Sequence, residues 1–326
     1  MTKPEGLPPS PPTQPIPQVP LPLRIERALG RAMFVAIRTL VRAVPYRFVR
    51  RLGAALGELQ FRLGLVARRR MVSELEVLLG RPAHDRGVHE QMRTAYRTNN
   101  AAVLEILKLF DSPQDEQMLL AQVEIEGLAT LRTALESGRG AILLAGHMGN
   151  GALMVIKLVA SGIPVSVVYH QARMMDAGLF DRGLGAYGIR GILANDGIRA
   201  YGRMLSALRA NEVVYMMADQ GTKKAKDGLM SRFLGKDMPM PAGPAQLARH
   251  AKAPVLPVAT IAAEPVWRFE ILPPVPRDPT ASLEQDVETL LKVSERLILD
   301  HPQFWSWHHR RWRHHPLAAD VARPKD

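Results

Sequence analysis

The sequence predicts a single α/β domain with a mixed central sheet flanked by helices, preceded by a basic amphipathic N-terminal helix. Three observations carry that prediction. From about residue 123 to residue 300, apolar runs of strand length alternate with segments of helix length and helical periodicity. Links rich in glycine and proline separate them. One apolar run, Ala141–Ala145, ends in Gly146-His147-Met148-Gly149-Asn150, a turn at the end of a strand, where open α/β sheets gather their ligands.

Residues 1–22 alternate proline with small, polar and aliphatic residues, which favours extended conformations and builds no core. They read as a disordered tail, with a ligand for a proline-recognising domain as the sharper alternative. Residues 23–44 follow as a helix on which Arg24, Arg27, Arg31, Arg38 and Arg42 fall within an arc of roughly 60°. Such a helix suits a membrane interface, with arginines among anionic headgroups, and equally suits docking on the domain with a solvated arginine face. Residues 45–315 are assigned to the α/β domain and 316–326 to a flexible tail.

Within the domain, residues 46–80 and 86–110 read as helices broken at Gly80-Arg81-Pro82. Strands are expected at 123–127, 141–145, 165–169, 212–218, 255–261 and 267–272, and helices at 128–137, 152–160, 172–187, 199–210 and 282–300. The proline-rich run Met238-Pro239-Met240-Pro241-Ala242-Gly243-Pro244 reads as a rigid turn opening a helix. The free N–H groups of that helix could face an oxyanion, or could simply begin a helix.

The formal net charge of +12 and pI near 10.3 direct the chain toward acidic partners: anionic lipid, an acidic carrier protein or nucleic acid. The absence of cysteine excludes disulfides, thiolate metal sites and thiol catalysis. No secretory signal is recognisable and no run of 18 apolar residues escapes charge, so a cytoplasm-facing protein without a plain transmembrane helix is expected.

His147 suits a general base, and a satisfied histidine in a tight turn is the plainer reading of the same residue. A second strand end, Asp219-Gln220, should border the same cleft, followed by the cationic loop at Lys223. Near the C-terminus, Trp305, Trp307 and Trp312 interleave with His308, His309, Arg310 and Arg311. That pattern admits a nucleic-acid patch, interfacial lipid anchors or a histidine metal site.

Gly146-His147-Met148-Gly149-Asn150, Asp219-Gln220, Phe233-Leu234-Gly235-Lys236 with Ala242-Gly243-Pro244-Ala245, and Trp305-Ser306-Trp307-His308-His309-Arg310-Arg311-Trp312 come in the same order and at similar spacing as in one family. Over residues 45–314 the chain resembles the late acyltransferases of lipid A biosynthesis. The resemblance implies a peripheral or monotopic enzyme on the cytoplasmic face of the inner membrane. Such an enzyme moves a fatty acyl chain from acyl carrier protein or acyl-CoA to a hydroxyl of a lipid or glycolipid. It implies His147 as catalytic base and Gly149, Asn150, Asp219, Gln220, Lys223, Gly243, Arg310 and Arg311 as substrate-binding residues. The partners expected are acyl carrier protein, anionic membrane lipid and the acceptor lipid, with no nucleic acid, no metal and no cofactor.

The chain departs from the pattern at two places. The family's histidine is followed after four residues by a carboxylate, and here that position is Ala152. Asp219, Glu105 and Asp196 are the candidates to replace the acid, Asp219 foremost. A family Tyr-Arg-Pro is replaced by Tyr169-His170-Gln171, removing an arginine associated with headgroup phosphate. A non-catalytic relative that binds acyl or lipid ligands is the alternative that Ala152 motivates.

Overall fold

The structure, a computed structural model, describes residues 21–170, 178–222 and 228–307. Seven strands form one sheet: β1 (Val123–Glu126), β2 (Ala141–Ala145), β3 (Val165–Tyr169), β4 (Arg190–Leu193), β5 (Val213–Met217), β8 (Val255–Ala262) and β9 (Trp267–Ile271). Their order is β1-β9-β8-β2-β5-β3-β4, with β8 and β9 antiparallel and the other neighbours parallel, so the sheet is mixed as expected. A separate hairpin pairs β6 (Leu229–Phe233) with β7 (Lys236–Met240).

β2 lies at the centre and all five of its residues are buried, which a parallel strand covered on both faces requires. Its side chains alternate between two cores. Ala141, Leu143 and Ala145 join the larger core with α2 (Tyr46–Leu63), α4 (Arg86–Asp111) and α7 (Gly151–Ala160). Ile142 and Leu144 join the smaller one with α9 (Ile198–Arg209) and α10 (Gly243–Ala251). On the larger side α2 crosses α4 at close range, and a Cβ on Gly53 would come within 2.5 Å of the Ala101 Cα.

The N-terminal helix, α1 (Leu21–Ala43), differs from its expected charge layout in one respect. Arg38 does not face solvent or headgroups; its guanidinium grips the Asp111 carboxylate of α4 at 2.5 Å through both nitrogens. Val41 is buried beside it, Phe34 and Ile37 rest on the core, and Met33, Val35 and Leu40 point outward. The described side chains therefore dock the helix through Phe34, Ile37, Arg38 and Val41, while Arg42 is exposed and Met33, Val35 and Leu40 turn away from the domain. α2 continues that outer surface: Phe48, Leu52, Ala55, Leu59 and Leu63 share one stripe at i, i+4, i+7, i+11 and i+15, and Leu63 is 72% exposed.

Four elements depart from the expected ones. The helix expected over 46–80 is broken at Gly64 into α2 and α3 (Leu65–Leu78). Strand β7 takes in Met238–Met240, the first part of the stretch expected as a turn, and Pro239 fits because a two-stranded ribbon leaves one edge without ladder partners. The short strand β4 and the one-turn helix α5 (Glu116–Leu120) add to the expected elements. Of the helix expected over 172–187, the described part is α8 (Leu179–Gly185).

Candidate active site

β2 and β5 are parallel neighbours with Ala145 opposite Met217. Two residues further on, His147 and Asp219 leave the sheet at the same height on strands about 4.8 Å apart. This register brings together two residues 72 positions apart in the sequence. The Asp219 Oδ1 lies 2.6 Å from His147 Nδ1, and Oδ2 accepts the His147 backbone N–H at 3.0 Å. The Trp305 indole N–H donates to the same Oδ2 at 2.7 Å.

A carboxylate thus meets the imidazole from the neighbouring strand, with alanine at position 152. Asp219 is 1% exposed and His147 keeps a side-chain exposure of 27%, so a buried carboxylate holds an imidazole whose other edge reaches the surface. With Nδ1–H donating to the carboxylate, Nε2 is the nitrogen that accepts a proton, and the adjacent negative charge stabilises the imidazolium that results. The phenol of Tyr215, on β5, is raised above its ordinary range by burial and then by the Asp219 charge.

The turn that carries His147 is fixed at every residue. Ser306 N–H donates to the His147 carbonyl at 2.9 Å, and Thr260 Oγ1–H to the Met148 carbonyl at 2.8 Å. Gly149 has φ of +61°, and a Cβ there would meet the Trp267 ring at 2.8 Å and Thr260 at 2.9 Å, so only glycine fits. Its N–H donates to the Phe304 carbonyl at 3.1 Å, which ties the turn to the C-terminal segment. Asn150 is fully buried; its Oδ1 accepts the Leu153 N–H to cap α7, and its Nδ2 donates to Glu105 Oε2 at 3.0 Å. Gly149 and Asn150 therefore spend these groups on fixing the turn that carries His147.

Glu105, another candidate, is engaged by other partners. Its buried carboxylate takes the Arg50 guanidinium at 2.8 Å on Oε1, and the Asn150 amide and the Trp267 indole N–H at 2.6 Å on Oε2. Arg50 also donates to the Ala263 and Pro265 carbonyls at 3.1 Å. Beside this cluster the Tyr46 phenol is raised far above its ordinary range, by burial first and the Glu105 charge second. Asp196, the third candidate, sits on a surface turn and pairs with Arg203 at 3.0 Å.

Gln220 reaches the site: its amide nitrogen lies 3.2 Å from His147 Nε2 and 3.4 Å from Nδ1. Gly243 opens α10, and a Cβ there would meet nothing within 4 Å, so this position is open where substrate could lie. The following Pro244 and Ala245 line a small apolar recess with Leu144 and Ala218, next to the strand ends that carry His147 and Asp219. Lys223, Arg310 and Arg311 lie outside the described residues, as do Trp312 and the histidines beyond Trp307.

Trp305 and Trp307 correct the reading of the C-terminal segment. They are 1% and 5% exposed, packed edge to face with centroids 4.6 Å apart, and are core residues rather than lipid anchors or a stacking surface for bases. The Trp305 contact with Asp219 was not readable beforehand, because no local spacing marks an indole that returns to a strand end 86 positions earlier.

An Asp–His pair at the carboxyl edge of parallel strands, with the carboxylate buried and the imidazole reaching the surface, lies where α/β folds gather their ligands. Residues 21–314 match the sequence family described as bacterial lipid A biosynthesis acyltransferase, and the chain belongs to that family. It is 29% identical over 196 residues to the phosphatidylinositol mannoside acyltransferase of Mycobacterium tuberculosis, a match spanning 58% of this chain and 59% of that protein. The crystal structure of the 1-acyl-sn-glycerophosphate acyltransferase of Thermotoga maritima covers 79% of this chain and 99% of its own, at 17% identity and a TM-score of 0.36.

Proposed function

We propose that this protein transfers a fatty acyl group from a thioester, carried by acyl carrier protein or coenzyme A, to a hydroxyl of a lipid or glycolipid at a membrane surface. The observation that carries the reading is the His147–Asp219 pair. His147 Nε2 takes the acceptor's hydroxyl proton as the oxygen attacks the thioester carbonyl, giving a tetrahedral oxyanion. Collapse expels the thiolate, which takes the proton back from the imidazolium, so that ester and thiol leave and the base is restored. Asp219 stabilises the imidazolium in between and keeps its own charge.

The outer faces of α1 and α2 support placement at the membrane. Met33, Val35, Leu40, Phe48, Leu59 and Leu63 present apolar surface, with Arg47, Arg51 and Arg62 exposed along α2 to meet anionic headgroups. No described helix is long and apolar enough to cross a bilayer. The attachment we propose, on the family resemblance, is peripheral, on the inner membrane's cytoplasmic face. The basic charge of the chain also suits an acidic carrier protein.

The test is acyl transfer by the purified chain on vesicles containing anionic lipid. Labelled acyl carrier protein and acyl-CoA are offered separately with a panel of phospholipid and glycolipid acceptors, beside His147→Ala. Transfer by the wild type that His147→Ala abolishes supports the reading. A wild type that binds vesicles but transfers no label to any acceptor overturns it in favour of a lipid-binding relative.

A further inference from the structure

The C-terminal segment after α11 (Leu283–Asp300) returns to the catalytic strands and places Trp305 against Asp219. Its backbone pairs with Met148 in an isolated bridge, and the Asn99 amide of α4 donates to the Trp305 carbonyl at 2.9 Å. Trp307 stacks edge-on against it and donates its own indole N–H to the Pro302 carbonyl at 2.8 Å. The indole of Trp305 therefore has a fixed position, and it spends its single donor on the catalytic carboxylate.

A carboxylate with two oxygens can turn about its Cβ–Cγ bond unless both are held. Here Oδ2 receives the His147 backbone N–H and the Trp305 indole N–H, which leaves Oδ1 aimed at Nδ1. A hydrogen bond to the charged form also lowers a carboxylate's basicity. We infer that Trp305 is a positioning residue for the acyl-transfer reaction: its indole N–H fixes the rotamer of Asp219 and moderates the charge that the carboxylate presents to His147. The inference rests on the proposed role of the His147–Asp219 pair as the catalytic dyad. It assigns a catalytic duty to a tryptophan whose burial would otherwise mark it as core.

Removing the donor has a definite sign. A less moderated Asp219 stabilises the imidazolium more, His147 stays protonated to higher pH, and the acid limb of the rate profile moves upward. Other titratable groups on the elements around the pair, among the described residues, are Tyr215 on β5, Glu105 on α4, ion-paired with Arg50, and His301 at the start of the returning segment. All three are kept in every variant.

The experiment compares the full chain with Trp305→Phe, which keeps an aromatic ring and lacks the N–H. Acyl transfer is measured across pH, and the downfield proton resonance of the His147–Asp219 hydrogen bond is followed by NMR and assigned by its loss in Asp219→Asn. The expected result is a fall in kcat of about tenfold with KM unchanged, an acid limb displaced upward by roughly half a pH unit, and a shifted resonance. An unmoved resonance and limb in folded Trp305→Phe overturns the inference, as does a loss of rate matched only by a loss of folded protein. If Trp305→Phe does not fold, wild-type chain grown on 5-fluorotryptophan, whose indole N–H is more acidic, must move the resonance the opposite way. Should the wild type transfer no acyl group while the resonance responds as stated, the acyl-transfer reading fails and the positioning of Asp219 stands.

Discussion

Replacing Asp219 by asparagine removes one charge and nearly preserves the shape of the site. The structure dictates which way the new amide must turn. Oδ2 accepts two N–H groups, from the His147 backbone at 3.0 Å and from Trp305 at 2.7 Å, so the amide oxygen has to take that position. The NH2 then falls where Oδ1 stood, 2.6 Å from Nδ1, and can be accommodated only if Nδ1 carries no proton. The imidazole is forced into the tautomer with its proton on Nε2, and the base is lost along with the stabilising charge. In the comparable serine-protease dyad that change costs about 10⁴-fold in turnover, or roughly 5–6 kcal/mol of transition-state stabilisation. Single-turnover transfer from labelled donor to vesicle-borne acceptor gives the rate, and thermal unfolding shows that the variant is folded. A loss smaller than about tenfold in folded Asp219→Asn would refute the argument that Asp219 acts as the orienting acid.

Ala152→Glu, which restores the family's carboxylate position, is expected to leave kcat within about threefold of wild type or lower, because Asp219 already occupies Nδ1; a large gain in rate would contradict this. Glu105→Gln strips the charge that pairs with a mostly buried guanidinium, and urea unfolding should show a loss of about 3–5 kcal/mol. Gly149→Ala places a methyl against Trp267 and Thr260 at positive φ, and its unfolding midpoint should fall by the equivalent of about 1–3 kcal/mol. Leu59→Glu with Leu63→Glu on the outer stripe of α2 should weaken vesicle binding several-fold in a flotation assay while leaving thermal stability unchanged, since both side chains are exposed.

The sheet was legible where burial on both faces writes itself as an uninterrupted apolar run, as in Ala141–Ala145 and Val213–Met217. The hairpin around Pro239 was not, because alternating methionine and proline carries the local signature of a turn, and only pairing with Leu229–Phe233 makes it a strand. His147 stood out through its glycines, and Asp219 through its place at a strand end. Their partnership depends on strand order: β3 and β4 intervene in the sequence, and nothing local says that β5 lies beside β2. The same limit hid the surroundings of Glu105, whose partners come from α2, the His147 turn and β9. For Trp305 the neighbouring arginines and histidines suggested a wet, lipid-facing surface, whereas the ring is fully enclosed.

The bond from Asn99 to the Trp305 carbonyl joins residues 206 positions apart, and both sit against the turn that holds the base. At ordinary elongation rates of 5–20 residues per second, roughly 10–40 seconds separate their emergence during synthesis. Until the later residue arrives, the sheet can assemble while the carboxylate lacks its indole partner and the His147 carbonyl lacks the Ser306 amide. A chain still short of residues 305 and 306 therefore lacks two of the hydrogen bonds that fix the Asp219 carboxylate and the His147 turn.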